Sequence, residues 1–453
     1  MTPNEKPCDL SIGEASKLIL RRKLSSVELV KSCLERIDAN ESRIKAWALL
    51  DREGALARAA ELDAELKIGK VRGLLHGIPV GIKDIFYTAG MRTEAGSKSW
   101  VGFVPSFDSA AVARLKAAGA IILGKTHTTE FAFMDPAPTR NPWNVEHTPG
   151  GSSSGSGAAV AAGMCFAALG SQTGGSTLRP AAFNGIVGLK AEHGRISTYG
   201  VVPLSWTLDH VGILARSVSD AAIILQILAG YDARDPYSLL APVPDFSEYL
   251  VSIRPPRLGL AKGYFFERAD EEMRRHTEEV ATKLAKAGAI IEEVMLPPGV
   301  AASFELNNTI MKVDAAAYHK DMFAAKKELY GPNIRGLVEQ GLGTSATEFA
   351  AALKARGEVK NEMETALEKV DAWLTPGAPG EAPLGLQSTG SSVLQRPWST
   401  AGLPSIGIPT GLSKNGLPLG VQLGSASMTE AKLLGVARWC EEALNVHLRP
   451  PVA

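Results

Sequence analysis

"GGSSSGSGAAVAAG", residues 150–163, sets three consecutive serines among glycines and then runs into an alanine-rich stretch of helical composition. It reads as a flexible linker, as a nucleophile turn, or as a polar loop before a helix that belongs to a larger site, and the choice settles the fold. From Thr148 to Leu178 the chain carries no Asp, Glu, Lys or Arg. The apolar part of that run, Ala158 to Leu169, is too short to cross a bilayer.

The wider composition is that of a globular protein. Of 453 residues, 45% are hydrophobic and 21% charged, with 48 basic side chains balanced by 48 acidic ones. A net charge of zero recruits neither nucleic acid nor an anionic membrane. The N-terminus, "MTPNEKPCDL", lacks the basic segment and apolar core of a signal peptide. Cys8, Cys33, Cys165 and Cys440 have no metal-ligand spacing and are too few for a disulfide framework. The expectation is a reduced, cytoplasmic protein, monomeric or homodimeric.

Helix and strand signals alternate along the chain. Ser25 and Glu28 form a capping-box pattern before "LVKSCLERI", and "GALARAAELDAEL" follows with helical spacing, so residues 1–65 are expected to form a helical collar. "HGIPVGIKD" at 76–84 reads as a short apolar strand. "DSAAVARLKAAG" reads as a helix with Asp108 as N-cap and Gly119 as stop, followed by the strand "AIILGK". A similar helix, glycine, strand order at 283–294 is ordinary α/β alternation. "SVSDAAIILQILAG" at 217–230 is another capped helix, and 268–287 and 345–368 are long amphipathic stretches. The expected architecture is one α/β domain: a core over 66–230, a mostly helical cap over 265–370, and a return to the sheet over 371–453. "TPGAPGEAPLG" at 375–385 is expected as a surface loop.

Two familiar patterns fail on context. "GAIILGKT", Gly119 to Thr126, fits G-x-x-x-x-G-K-[ST] and would make Lys125 a phosphate ligand, but a helix precedes the first glycine and a buried strand fills the gap. G-x-S-x-G at Gly151–Gly155 would make Ser153 a hydrolase nucleophile, but what enters the turn is "NPWNVEHTPG", which is no strand.

A third constellation joins separated pieces: "PVGIKD" ending at Asp84, "GGSSSGS" at 150–156, and "GSQTGGSTLRP" at 170–180. In order and separation these resemble the amidase signature family, whose pattern runs PxxxKD, GGSSxGS and GSxTGGSxRxP. The two serines, Ser152 and Ser176, stand 24 residues apart, as in that family. The likeness covers roughly residues 60–230 and continues weakly in "RPWSTAGLPSIGIPTGL" and "GLPLGVQL".

The resemblance implies a catalytic Lys83, a bridging Ser152 that follows a cis peptide bond, and the nucleophile Ser176. Its fold is a central mixed sheet covered by helices. A lysine acts as base only when neutral, so its pKa must fall from about 10.4 toward neutrality, which burial among "IPVGI" favours. Asp84 would oppose this unless extended backbone turns it to the opposite face. Gly174 and Gly175 are expected to let the backbone turn so that the amides of Thr173, Gly174, Gly175 and Ser176 form an oxyanion hole. Neither metal nor cofactor is required.

Arg179 sits one place later than the family pattern, directly before Pro180, which leaves its partner open. Ala191 and Glu192 replace the usual Pro-Thr, and the 130–143 segment is short. Phe131, Met134, Ser153 and Cys165 are taken as substrate-binding, and with Phe133 they point to a neutral, fairly apolar acyl or aryl group. The expected reaction is amide hydrolysis. Ester or carbamate hydrolysis, the amidase subunit of a glutamine-dependent amidotransferase, and nucleotide binding through Lys125 are the alternatives.

Overall fold

A computed structural model describes residues 6–250 and 254–451. Eleven strands form one mixed sheet: β1 (Trp47–Leu50), β2 (Pro79–Lys83), β3 (Ile121–Thr126), β4 (Ala167–Gln172), β5 (Val187–Lys190), β6 (His210–Ala215), β7 (Arg257–Leu260), β8 (Ile290–Glu293), β9 (Ala372–Pro376), β10 (Ser405–Leu412) and β11 (Pro418–Gly424). Their order is β1-β3-β2-β4-β6-β5-β10-β11-β9-β7-β8. Strands β3, β2 and β4 run parallel, as do β9, β7 and β8, and the remaining pairs are antiparallel. Strands β2 to β6, β9 and β11 are buried along their whole length, as expected where helices flank the sheet.

Local signals place most helices. Ser25 Oγ accepts from the Glu28 amide (3.1 Å) while a Glu28 carboxylate oxygen accepts from the Ser25 amide (2.8 Å), starting the helix Ser26–Ile44. Ser217 and Ser345 cap Val218–Leu228 and Ala346–Leu367 through the same hydroxyl-to-amide bond. The helix Ala110–Ala117 is capped by Ser109, not by Asp108. Asp108 instead accepts from the Ala89 amide (2.8 Å) and pairs with Lys116 (2.8 Å), so its carboxylate is already engaged.

Two expectations on organisation are corrected. The N-terminal collar is not wholly helical, because Trp47–Leu50 joins β3 as an edge strand. The 375–385 stretch is not all surface loop: Thr375 and Pro376 complete β9 and pair with Gln422 and Val421 of β11. Burial continues through Ala378, and the chain becomes exposed only beyond Ala382.

The sheet fixes the site through β2 and β4. These neighbours run parallel with Val80 opposite Ala167 and Ile82 opposite Leu169, so Lys83 and Ser171 emerge at the same edge of the sheet. Residues 150–163 are buried throughout, which excludes a linker. The helix Ser154–Ala161 follows the serines, and its small residues allow close approach. A Cβ on Gly155 would lie 2.2 Å from the Ala46 carbonyl oxygen.

Candidate active site

Lys83 ends β2 with its amine-bearing chain fully buried. Its Nζ lies 2.7 Å from Ser152 Oγ and 2.7 Å from Ser171 Oγ. Desolvation pushes this amine well below the ordinary lysine range. Asp209 opposes that shift, and the positive charge of Arg179 adds to it. Asp84 takes no part, since its carboxylate turns away and pairs with Lys125 at 3.4 Å, as extended backbone requires. Burial raises Asp84 to about 6 and lowers Lys125 to about 8. Lys125 itself is buried in β3 and donates to the Phe86 carbonyl (2.7 Å) and Thr93 Oγ1 (2.6 Å). That strand offers no loop of free amides, so the phosphate-loop reading falls.

The serine turn is held from several sides. The Gly151–Ser152 peptide is cis. Arg179 Nε and Nη2 donate to the Gly151 carbonyl at 3.2 and 2.6 Å. Ser153 is a fastener rather than a substrate contact: its amide donates to the Ser176 carbonyl (3.3 Å), and its hydroxyl accepts from the Ser171 amide (3.2 Å).

Between β4 and the helix Leu178–Asn184, every carbonyl of residues 173–176 is occupied. Thr173 O accepts from Asn307 Nδ2 (3.1 Å), Gly174 O from Ser399 Oγ (2.7 Å), Gly175 O from the Arg179 amide (3.0 Å), and Ser176 O from the Ser153 amide. In a planar trans peptide the N–H points opposite to its C=O. Tying back the carbonyls of 173, 174 and 175 therefore turns the amides of Gly174, Gly175 and Ser176 the other way. Gln172 Oε1 takes the next two amides, those of Thr177 and Leu178, at 3.0 Å each.

The two glycines matter for room, not for backbone sign, since neither has positive φ. A Cβ on Gly174 would lie 2.7 Å from Arg396 Nε, and one on Gly175 would lie 2.7 Å from Ser392 Cβ.

Ser176, 8% exposed, borders a cavity of about 180 Å³ whose walls include Phe133, Met134, Met311, Arg179 and Arg396. Met134 is half exposed at its wall. Phe131 is not: its ring is buried against Trp100, His319 and Tyr330. Cys165 lies before the first residue of β4, whereas the site lies beyond its last. Six strand residues separate them, roughly 20 Å. The expectation of an uncharged pocket also fails, because two buried guanidiniums line it. Arg396 and Ser171 were not singled out from the sequence. Ser171 stands in the quoted "GSQTGGS" motif and could have been. Among the described residues, no group of three His, Cys, Asp or Glu side chains is placed to share a metal ion.

The sequence model of the amidase family matches residues 28–434. The chain belongs to the amidase family. The A subunit of the glutamyl-tRNA(Gln) amidotransferase of Moorella thermoacetica is 35% identical to this amidase-family chain, over 98% of each. Among solved structures, native peptide amidase from Stenotrophomonas maltophilia superposes with a TM-score of 0.86 at 31% identity, covering 98% of both chains. A chain of a complex described as vestigial, bearing on the origins of an s-triazine catabolic enzyme, superposes at 0.91 with 28% identity, covering 97% of this chain and all of that one. The family, the mixed sheet flanked by helices, and chemistry on carbon–nitrogen bonds follow from these matches. Among the described residues, no helix is long and apolar enough to cross a membrane.

Proposed function

We propose that this chain hydrolyses a small carboxylic amide through an acyl-enzyme on Ser176. The observation that carries the reading is the buried Lys83 amine, held below its ordinary pKa and 2.7 Å from Ser152 Oγ beside the turn that presents Ser176. Ser176 Oγ attacks the amide carbon. Its proton passes to Ser152 Oγ as the Ser152 proton passes to Lys83 Nζ, a relay for which a hydroxyl, both donor and acceptor, is suited. The amides of Gly174, Gly175 and Ser176 receive the oxyanion, each such donor contributing about 10²- to 10³-fold in rate. Collapse expels the amine, protonated through Ser152. Water then cleaves the Ser176 ester by the same relay, releasing the carboxylic acid and restoring the serine. No metal or cofactor takes part in this scheme. The same machinery accepts an ester or a carbamate.

A second reading is supported by the full-length similarity to amidotransferase A subunits: the ammonia released would pass to a partner protein, with glutamine as the amide donor. Against it, no carboxylate lines the cavity among the described residues, so the α-ammonium of glutamine would have no counter-charge.

Purified chain incubated with a panel of amides, esters, carbamates and glutamine tests both readings. Ammonia or amine release with a mass adduct on Ser176, absent from Ser176→Ala, is the expected result. Undiminished turnover in Ser176→Ala overturns the serine mechanism, and preference for glutamine favours the amidotransferase reading.

A further inference from the structure

Arg179 and Arg396 are 6% and 7% exposed, border the Ser176 cavity, and form no ion pair with a carboxylate among the described residues. Each guanidinium has five N–H donors. Arg179 uses three, two on the Gly151 carbonyl and one on that of Gly390. Arg396 also uses three, on Ser392 Oγ (3.2 Å), Asn307 Oδ1 (2.5 Å) and Asn308 Oδ1 (2.7 Å). Two N–H groups on each therefore lack an acceptor among the described residues, and on Arg396 both belong to Nη2.

Burial is unfavourable for both. It lowers Arg179 to about 9, with the charge of Arg396 adding to the effect, and Arg396 to about 10, against the opposing pull of Tyr264 and of the Glu305 carboxylate, which stands beyond ion-pair distance. Two like charges kept together in one cavity, held in place by neutral acceptors, are complementary to a missing anion. Arg179 follows Ser176 by less than one helical turn, and the Arg396 guanidinium packs against Gly174, so both charges flank the reacting centre.

We propose that the substrate is a small anionic amide, a monoamide of a dicarboxylic acid, with its free carboxylate held by Arg179 and Arg396. This rests on the hydrolase reading and specifies its substrate class. A cavity of about 180 Å³ must hold the scissile amide and the carboxylate together, which favours ammonia as the leaving group and places the carboxylate on the acyl part. Planar guanidiniums suit a planar carboxylate through paired N–H groups. The absence of a lining acid among the described residues disfavours a zwitterion.

The intact chain is assayed with malonamate, succinamate and glutaramate, each beside its uncharged diamide. For the best of the three, kcat/KM is expected to exceed that of its diamide by about 100-fold or more, because the diamide brings no charge to offset the guanidiniums and sets an NH2 donor where a second carboxylate oxygen would accept. Arg396→Gln should shrink that ratio at least about tenfold, with Arg396→Lys intermediate. If these variants do not fold, the wild-type ratio and competitive inhibition by the free dicarboxylates decide. A diamide cleaved as well as its monoamide, by a rate that Ser176→Ala abolishes, overturns the anion site and leaves the hydrolase intact. No turnover of any amide, together with no labelling of Ser176 by a fluorophosphonate, overturns the hydrolase itself. If Ser176 is labelled without turnover, dicarboxylate binding by calorimetry decides, and no binding at millimolar concentration overturns the anion site.

Discussion

Lys83 Nζ stands as close to Ser171 Oγ as to Ser152 Oγ, 2.7 Å in each case. A neutral amine has one lone pair. If it is to accept from Ser152, an N–H directed at Ser171 fixes the rotation that aims it there. On the proposed mechanism Ser171 is then a positioning residue. Ser171→Ala is expected to lower kcat by about 10- to 100-fold with KM little changed, a loss on the scale of general-base catalysis. Removing a hydroxyl that accepts from the ammonium also favours the neutral amine, so the acid limb of the rate profile should move to lower pH. Ser171→Thr should recover part of the rate. An unmoved limb with normal kcat would show Ser171 to be packing only.

Ser176→Ala and Lys83→Met should each reduce turnover by about 10³-fold or more. They should differ in stability. The folded-state pKa of Lys83 lies below its unfolded value, so the unfolded chain binds the extra proton, and the penalty for burying this amine grows as pH falls from the ordinary lysine value. Lys83→Met removes that penalty, and its melting temperature at neutral pH should be no lower than that of the parent. A clear fall would mean that the amine is held charged by its surroundings.

Turnover should rise with pH as Lys83 loses its proton, and reach its plateau below the range of an unperturbed lysine, about 10.4. The measurement is kcat/KM for a non-titrating amide across neutral and alkaline pH. A profile that falls on the alkaline side of neutrality would contradict a lysine base.

Gly174→Ala places a methyl 2.7 Å from Arg396 Nε and forces the guanidinium to shift. The expected cost in stability is about 1–3 kcal/mol, as for other overpacked sites, with a loss in kcat/KM larger than the change in melting temperature would suggest. Chemical denaturation and steady-state kinetics on the same preparation separate the two.

Thiol alkylation should leave activity intact. All four cysteines are buried, and burial raises Cys165 and Cys440 to about 12, so little thiolate is present at neutral pH. Rapid inactivation by iodoacetamide, prevented by substrate, would contradict the placement of Cys165 away from the cavity.

The residues legible in advance were those carried by contiguous motifs. Lys83, Ser152 and Ser176 are candidates carried by short quoted patterns, of which the structure brings Lys83 and Ser152 within 2.7 Å, and the capped helices come from Ser25 and Ser217. Cys165 is close to the motifs along the chain but not in space, because β4 carries its two ends apart. Phe131 misled because its neighbours Phe133 and Met134 do line the cavity, while its own backbone, at φ 46°, turns the ring inward. Trp47–Leu50 is too short to show alternation between two helices. Arg396 and Ser399 stand in the weakly similar "RPWSTAGLPSIGIPTGL" and Asn307 in no quoted pattern; all three reach the nucleophile turn from far along the chain, a contact that local sequence does not report.

Those distant fasteners set a time at which the enzyme can begin to work. A ribosome has delivered Lys83, Ser152 and Ser176 once residue 176 emerges, but Asn307, Arg396 and Ser399 follow much later. At 5–20 residues per second the last of them lags the nucleophile by roughly 10–45 s. Until then the carbonyls of Thr173 and Gly174 lack the side chains that turn their peptides. A nascent chain therefore holds Lys83, Ser152 and Ser176 before the side chains that fasten the 173–174 peptides exist, and on the proposed mechanism any hydrolysis would wait until synthesis is nearly complete.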